Sequence, residues 1–195
     1  MSRTLLLTTL LFLFLLLALI NPLLSGFNQV VRRAVNRTRD LRMRPLIVLT
    51  HQWNDGPLLS LQVILIALFL GLATDDWRRP MVLSSAMFLQ TTLVGVAKKL
   101  TAVTRPPQRH AHRVMRSGSY PSGHTAAALT FALLVPPILS PYLAPVSIVV
   151  ISAILAFNAV LTAYGRLYLD VHWLTDILGA ALLSLATRVA GSFFL

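Results

Sequence analysis

The most restrictive feature of the sequence is a long uncharged segment in its second half. Residues 125–165 contain no Asp, Glu, Lys, Arg or His. About 20 apolar residues of α-helix cross the hydrocarbon core of a bilayer, so this segment is long enough for two membrane spans and a short turn. The sequence SPYLAP at 140–145, with a proline near each end, supplies that turn. The segment therefore predicts an integral membrane protein.

Other apolar stretches bring the predicted number of spans to six. The first covers Leu5–Leu24, and no A-x-A-like cleavage site follows it, so we interpret it as a span that is not cleaved. Pro136 and Pro137 are expected to kink the fourth span or end it early. An even number of spans predicts that both termini lie on one side of the membrane. The remaining spans are predicted at 57–73, 81–103, in the two halves of 125–165, and at 173–195.

Composition agrees with this class. Of the 195 residues, 56% are hydrophobic and only 12% are charged, against about a quarter charged in soluble domains. No polar stretch is long enough to fold separately, which predicts a single membrane domain over residues 1–195. The predicted fold is an all-α bundle of six transmembrane helices, with an interfacial amphipathic helix after the first span. The absence of cysteine excludes disulfides and thiolate metal sites.

The net charge of +11 comes from 17 Lys and Arg against 6 acidic residues. These basic residues flank the apolar spans, which favours membrane lipids and a phosphorylated substrate as partners, and not nucleic acid. The arginine run at 32–44 is interleaved with apolar residues and predicts a lipid-facing helix in the interface. Of the 17, 13 lie on the side of the loops after spans 1, 3 and 5, and the positive-inside rule assigns that side to the cytoplasm.

Polar residues converge on that same side. The loop after the third span carries RSGSYPSGH (116–124), and the loop after the fifth carries YGRLYLDVHWLTD (164–176). Ionisable side chains at membrane depth are costly and usually functional. This face is therefore predicted to hold a functional site.

The spacing of these residues indicates the chemistry. His172 and Asp176 are four residues apart, so the carboxylate can reach a ring nitrogen and fix its tautomer. Lys98 and Arg105 are two helical turns apart and share a face if the third helix extends that far. With Arg166 they form three cations that suit a dianionic phosphoryl group.

The PSGH segment adds an anion site at a helix start. Glycine permits close approach of the backbone, and the amides of Ser122 and Gly123 would open the fourth helix, where unpaired N–H groups favour an anion. His124 and His172, at separate helix ends, offer a nucleophile and an acid. Only two carboxylates lie near the site, too few for a two-metal cage, so neither metal nor cofactor is expected.

Three segments resemble the signature of the type 2 phosphatidic acid phosphatase (PAP2) superfamily, which also includes bacterial acid phosphatases and vanadium haloperoxidases. They are KKLTAVTRP (98–106), PSGH (121–124) and GRLYLDVHWLTD (165–176), in the family's order. The six-span layout is similar to the membrane branch of the family. Gly165 departs from the pattern, which usually has serine before the arginine.

The resemblance implies a metal-independent phosphatase that forms a phosphohistidine. It implies that His172 attacks phosphorus, that Asp176 holds the imidazole, and that His124 protonates the leaving oxygen and then activates water. The phosphoryl oxygens would be bound by Lys98, Arg105, Ser122, Gly123 and Arg166.

The expected substrate is a lipid phosphate or pyrophosphate, with undecaprenyl pyrophosphate or phosphatidylglycerophosphate ahead of phosphatidic acid. A bacterial cytoplasmic membrane is the expected location. Bacterial relatives generally face their site outward, and we expect the same here, against the positive-inside count.

Two alternatives stay open: a lipid phosphotransferase, and a non-enzymatic lipid or anion transporter. We interpret His110 and His112 as loop residues or headgroup contacts. Asp170 is expected either in a turn or beside an arginine.

Overall fold

The computed structural model describes residues 2–195, and every regular element in this range is helical. Two short 3₁₀ turns precede α2 and α3, and one long loop joins α5 to α6. The eight α-helices are α1 (Arg3–Ile20), α2 (Ser25–Arg37), α3 (Arg44–Trp53), α4 (Gly56–Thr74), α5 (Arg78–Thr101), α6 (Gly123–Leu139), α7 (Pro145–Tyr168) and α8 (Leu174–Gly191).

Local sequence signals explain several helix boundaries. The Ser2 hydroxyl accepts a hydrogen bond from the Leu5 amide at 3.2 Å and caps α1. The Asp55 carboxylate caps α4 by accepting from the Gly56 amide at 3.0 Å. Proline stands in the first turn of α4 and α7, where its missing N–H has no intrahelical partner to lose.

Six helices have the character of membrane spans. Helix α6 has 17 residues and is apolar, which is at the lower end of spanning length. Large apolar side chains on the outside of the bundle, such as Leu72, Phe88 and Phe157, are exposed, as lipid contact requires. The chain is a multi-pass membrane protein, and the predicted all-α fold is confirmed. Besides α6, five helical stretches are long and apolar enough to span a membrane, the first of which contains α1 and continues into α2: Arg3–Arg37, Gly56–Thr74, Arg78–Thr101, Pro145–Tyr168 and Leu174–Gly191.

Helix α6 lies at the centre of the bundle and packs against α5, α7 and α8, while α1 covers the far side of α8. Leu134 and Ile138 of α6 are fully buried in this core. The two chain ends meet, because the Arg3 guanidinium donates to the Ser192 carbonyl at 2.7 Å. The termini therefore lie on one side, as an even number of spans predicts.

The structure shows where two of the predicted spans end. Helix α6 continues through Pro136 and Pro137 to Leu139, and the Pro136 carbonyl still accepts from the Ser140 amide at 2.9 Å. Both prolines fall in the last turn of α6, where each lacks the N–H that would donate to the carbonyl four residues earlier, and the helix ends two residues after Pro137. Helix α5 ends at Thr101, because Ala102 adopts a left-handed conformation (φ 47°), so Arg105 lies beyond the helix.

The interfacial segment forms two helices, α2 and α3, and its arginines face the protein more than predicted. Arg32 forms a two-point ion pair with Asp170, with distances of 2.6 and 2.9 Å. Arg39 donates to the Tyr168 carbonyl, and Arg44 to that of His110. These three arginines hold α2 and α3 against the loops of the site, so the lipid-facing prediction is wrong for them, whereas Arg33, Arg37 and Arg42 are exposed.

Candidate active site

His172 lies in the turn between α7 and α8, and the fold fixes its imidazole. The ring is buried, and its Nδ1 lies 3.1 Å from Oδ2 of Asp176. The same oxygen accepts from the Trp173 amide at 2.8 Å and from the Ser119 hydroxyl. A carboxylate held by three donors fixes the ring with its proton on Nδ1. The predicted pair is therefore present.

The other ring nitrogen of His172 faces the cations. Its Nε2 lies 3.1 Å from Nη1 of Arg105, which can only donate, so Nε2 carries a lone pair. Burial, together with the positive charges of Arg166 and Arg105, holds the pKa of His172 well below its usual value. The imidazole is neutral at physiological pH, as a nucleophile must be.

The α5–α6 loop brings Arg105 and Lys98 together, although the helix ends between them. Arg105 donates to the carbonyls of Val171 (2.7 Å), Ser117 (2.8 Å) and Gly118 (3.1 Å). Lys98 Nζ donates to the Gly118 carbonyl at 3.2 Å. A Cβ at Gly118 would lie 2.4 Å from the Lys98 carbonyl oxygen, so only glycine allows this close approach. Lys98 and Arg105 are thus brought together by hydrogen bonds to the same loop, and not by their spacing along one helix.

Arg166 is the most buried of the three cations, with 2% of its surface exposed. Its Nη1 contacts Nδ1 of His51 at 2.9 Å. Its Nε and Nη2 have no hydrogen-bond partner among residues 2–195. Buried charged donors without partners are costly, and an anion that accepts from both would remove that cost.

The start of α6 carries the PSGH segment. Ser122 is the N-cap residue, and its amide donates to the Asp176 carbonyl at 3.1 Å. The prediction that this amide is free to bind an anion is therefore wrong. Gly123 opens the first turn, where amides lack intrahelical partners. A Cβ at Gly123 would lie 4.0 Å from Cε of Lys98, which places the helix start beside the cations.

His124 stands between the cations and α3. Its ring packs on the His51 ring with centroids 4.4 Å apart, and its Nε2 lies 3.4 Å from Oδ1 of Asp55. Arg166 and Lys98 are close enough for their charges to act on His124, and His172 is also nearby. The candidate residues from all three motifs are therefore in one cluster.

Sequence reasoning missed three residues of this cluster: His51, Asp55 and Ser119. None belongs to the three motifs, and Ser119 is fully buried although it lies in a loop. His51 and Asp55 lie in the connection after the first span, on the face where the other polar residues converge. Their position on that face was the available signal.

A cavity of about 450 Å³ extends from His124 into the membrane region between α4, α5 and α6. Its walls are mainly apolar, with Leu59, Val63 and Met87 among the lining residues. We call this cavity the tail groove. The residues 2–195 bring together no group of three or more side chains able to hold a metal ion.

Comparisons with known proteins agree with this geometry. No curated protein sequence matches the chain significantly. The chain is similar to the crystal structure of "the first transmembrane PAP2 type phosphatidylglycerolphosphate phosphatase from Bacillus subtilis", with a TM-score of 0.87, 22% identity, and coverage of 96% of this chain and 94% of that one. It is also similar to Aquifex aeolicus LpxE, with a TM-score of 0.68, 24% identity, and coverage of 86% and 96%. The family model described as "PAP2 superfamily" matches residues 79–191, more than half of the sequence. The chain therefore belongs to the PAP2 superfamily and is a membrane-spanning phosphatase of that family.

Proposed function

We propose that this protein removes a phosphoryl group from a membrane lipid through a phosphohistidine at His172. The observation that carries the proposal is an unprotonated Nε2 on a buried, fixed imidazole, together with Arg166, whose charge acts on that imidazole and whose Nε and Nη2 donors have no partner. A phosphoryl group between them satisfies the guanidinium and presents phosphorus to the nucleophile.

In the first step the phosphoryl oxygens are bound by Lys98, Arg105, Arg166, the Gly123 amide and the Ser122 hydroxyl. Nη1 of Arg105 then donates its hydrogen bond to a phosphoryl oxygen and no longer to Nε2 of His172. Nε2 of His172 attacks phosphorus in line, the P–N bond forms, and the bond from phosphorus to the lipid oxygen breaks. Positive charge matches the charge that develops on the equatorial oxygens.

His124 supplies the proton for the leaving lipid oxygen. In the second step it accepts a proton from water, whose oxygen attacks phosphorus as the P–N bond breaks and releases inorganic phosphate. Oδ1 of Asp55 lies 3.4 Å from Nε2 of His124, and the negative charge of the bound phosphoryl group favours the protonated ring that the first step needs. Asp176 keeps the His172 proton on Nδ1 through both steps.

The tail groove supports a lipid substrate. It joins His124 to apolar walls within the bilayer region, so a tail can stay in the membrane while its headgroup is in the site. Phosphatidylglycerophosphate is the substrate class named for the Bacillus subtilis neighbour, and undecaprenyl pyrophosphate is the other candidate we propose.

Purified protein in detergent tests the proposed reaction. Phosphate release from a panel of lipid phosphates and pyrophosphates is measured with and without EDTA, for the wild type, His172→Ala, and the loop control His110→Ala. We expect activity to survive EDTA and the control substitution and to be lost in His172→Ala. Loss with EDTA, or retained activity in His172→Ala, contradicts the mechanism.

A second experiment separates the tail groove from the chemistry. Ser60 lines the groove on α4, so Ser60→Trp should fill it, whereas Val149→Trp adds the same bulk on the exposed face of α7. We expect Ser60→Trp to lower kcat/KM for a long-chain lipid phosphate much more than for a dioctanoyl one. Equal loss on both substrates, or equal loss in Val149→Trp, would show that the groove does not hold the tail.

We also propose that the site faces away from the cytoplasm of a bacterial cell. Six of the basic residues on that side, including Arg32, Arg39 and Arg44, donate hydrogen bonds inside the protein, as do Arg3 and Arg79 on the other side. Without these residues the count is still seven against two, so the proposal is supported by the resemblance to bacterial relatives and stands against the positive-inside rule. The chain has no native cysteine, and Val114 in the α5–α6 loop is exposed. Val114→Cys should react with an impermeant maleimide in intact cells, and protection of that thiol contradicts the orientation.

A further inference from the structure

His51 is a buried histidine of the site that lies outside the part of the chain matched by the family model. It occupies the last turn of α3, between two residues of the proposed mechanism. Its Nδ1 lies 2.9 Å from Nη1 of Arg166, and its ring packs on that of His124 at 4.4 Å. His51 therefore contacts both the buried cation and the expected acid of the site.

The chemistry of the contact with Arg166 fixes the state of the ring. Guanidinium nitrogens only donate, so Nδ1 of His51 must accept, and the ring proton is on Nε2. Burial, and then the charge of Arg166, lowers the pKa of His51 to about 4. The ring is therefore neutral at physiological pH and available as an acceptor.

Helix α3 holds this acceptor rigidly against α7. Ile47, one turn before His51, is so close to Gly165 that a Cβ there would lie 3.1 Å from Cγ2 of the isoleucine. Nearly one turn after His51, the Asn54 side-chain amide donates to Thr162 at 3.0 Å. Ile47, His51 and the C-cap residue Asn54 lie on one face of α3. Packing before His51 and a hydrogen bond after it therefore fix its position along α7.

We propose that His51 is a positioning residue for Arg166. By accepting from Nη1, it fixes the plane and rotation of the guanidinium, so that Nε and Nη2, the two donors without partners, are directed at the phosphoryl group. This inference rests on the proposed function, in which Arg166 binds that group. Without the acceptor, the guanidinium keeps its charge but loses its orientation, and the two-point contact becomes rare.

Substitutions that keep or remove the acceptor test this role. His51→Phe keeps a ring against His124 without an acceptor, and His51→Leu is a second variant without one. His51→Asn places a side-chain oxygen near the position of Nδ1. His110→Phe, in the α5–α6 loop, is the matched control.

The readouts are kcat/KM for a lipid phosphate and the inhibition constant of orthovanadate, a phosphate analogue that needs the same donors. For His51→Phe and His51→Leu we expect kcat/KM to fall at least about tenfold and the vanadate constant to rise similarly, the scale of one hydrogen bond to a charged group. His51→Asn should recover most of both losses. In an Arg166→Lys background, His51→Phe should lower kcat/KM by less than a further factor of about three, because the guanidinium that His51 orients is gone.

Near-wild-type values for both His51→Phe and His51→Leu overturn the inference, as does an Asn variant as impaired as Phe. A full additional loss in the Arg166→Lys background also overturns it, since His51 would then act elsewhere. If Arg166→Lys alone is as active as the wild type, the assignment of Arg166 in the proposed function fails instead, which distinguishes the two outcomes.

Discussion

Replacing Arg166 by lysine isolates the planar fork of donors from the positive charge. The guanidinium is almost fully buried, with Nη1 bonded to His51 and Nε and Nη2 without partners. Lysine keeps the charge but is a single point donor on a flexible stem. It therefore cannot reproduce two parallel hydrogen bonds to one phosphoryl group and also satisfy His51.

The magnitude follows from counting donors. A hydrogen bond from a charged group contributes about 1.5–3 kcal/mol, and lysine gives up at least one of the two. A loss of about 2 kcal/mol in transition-state binding corresponds to about a 30-fold fall in kcat/KM. Arg166→Ala loses both bonds and the charge, for which we expect about 4 kcal/mol and a fall of about 1,000-fold.

Phosphate release over a range of lipid phosphate concentrations measures kcat and KM for each variant in detergent. Melting temperatures of the same preparations show whether the variants are folded. A kcat/KM for Arg166→Lys within about threefold of the wild type, in a folded protein, would refute the assignment of the fork to phosphoryl binding.

Two further predictions concern stability. Burial raises the pKa of Asp170, but the hydrogen bond and charge of Arg32 outweigh this effect and leave the pKa below its usual value. The ion pair with Arg32 therefore stabilises the folded protein at neutral pH, and this stabilisation is lost as the pH falls below about 4. Asp170→Asn should lower the neutral-pH melting temperature and flatten its acid dependence, whereas Asp75→Asn, at an exposed left-handed position that asparagine tolerates, should change neither. Gly179→Ala should destabilise the fold by about 1–3 kcal/mol, because a Cβ there would lie 2.3 Å from the Tyr120 ring. Gly95→Ala, with nothing within 4 Å, is its control, and equal melting temperatures for the two alanine variants would contradict the packing argument.

The fold was predictable from sequence because hydropathy is a strong constraint in a membrane. An uncharged run of spanning length has few alternatives to a helix that crosses the membrane, so the six-span layout could be predicted from runs such as residues 125–165. Helix ends were less predictable. Ala102 ends α5 through its backbone conformation, and Pro136 and Pro137 are tolerated near a helix end, neither of which periodicity reveals.

The candidate site divides in the same way. The His172–Asp176 pair was predicted from an i, i+4 spacing, and it forms although His172 lies in the turn before α8, because Asp176 is in the first turn of that helix and reaches back to the ring. His51 and Asp55 depend on where α3 packs, and that position is set by tertiary contacts such as Ile47 against Gly165. The prediction failed for Arg32 for the same reason, because Asp170 becomes its partner only when α2 folds over the loop.

The central claim is that phosphorus becomes bonded to His172 during turnover. Its most direct test is rapid quenching of the wild-type protein with a lipid substrate labelled at the transferred phosphorus, followed by mapping of the label to a peptide. We expect label on the peptide containing His172, stable in alkali and lost in acid, and none in His172→Asn. Turnover without labelled protein, or label on His124 in place of His172, would contradict it.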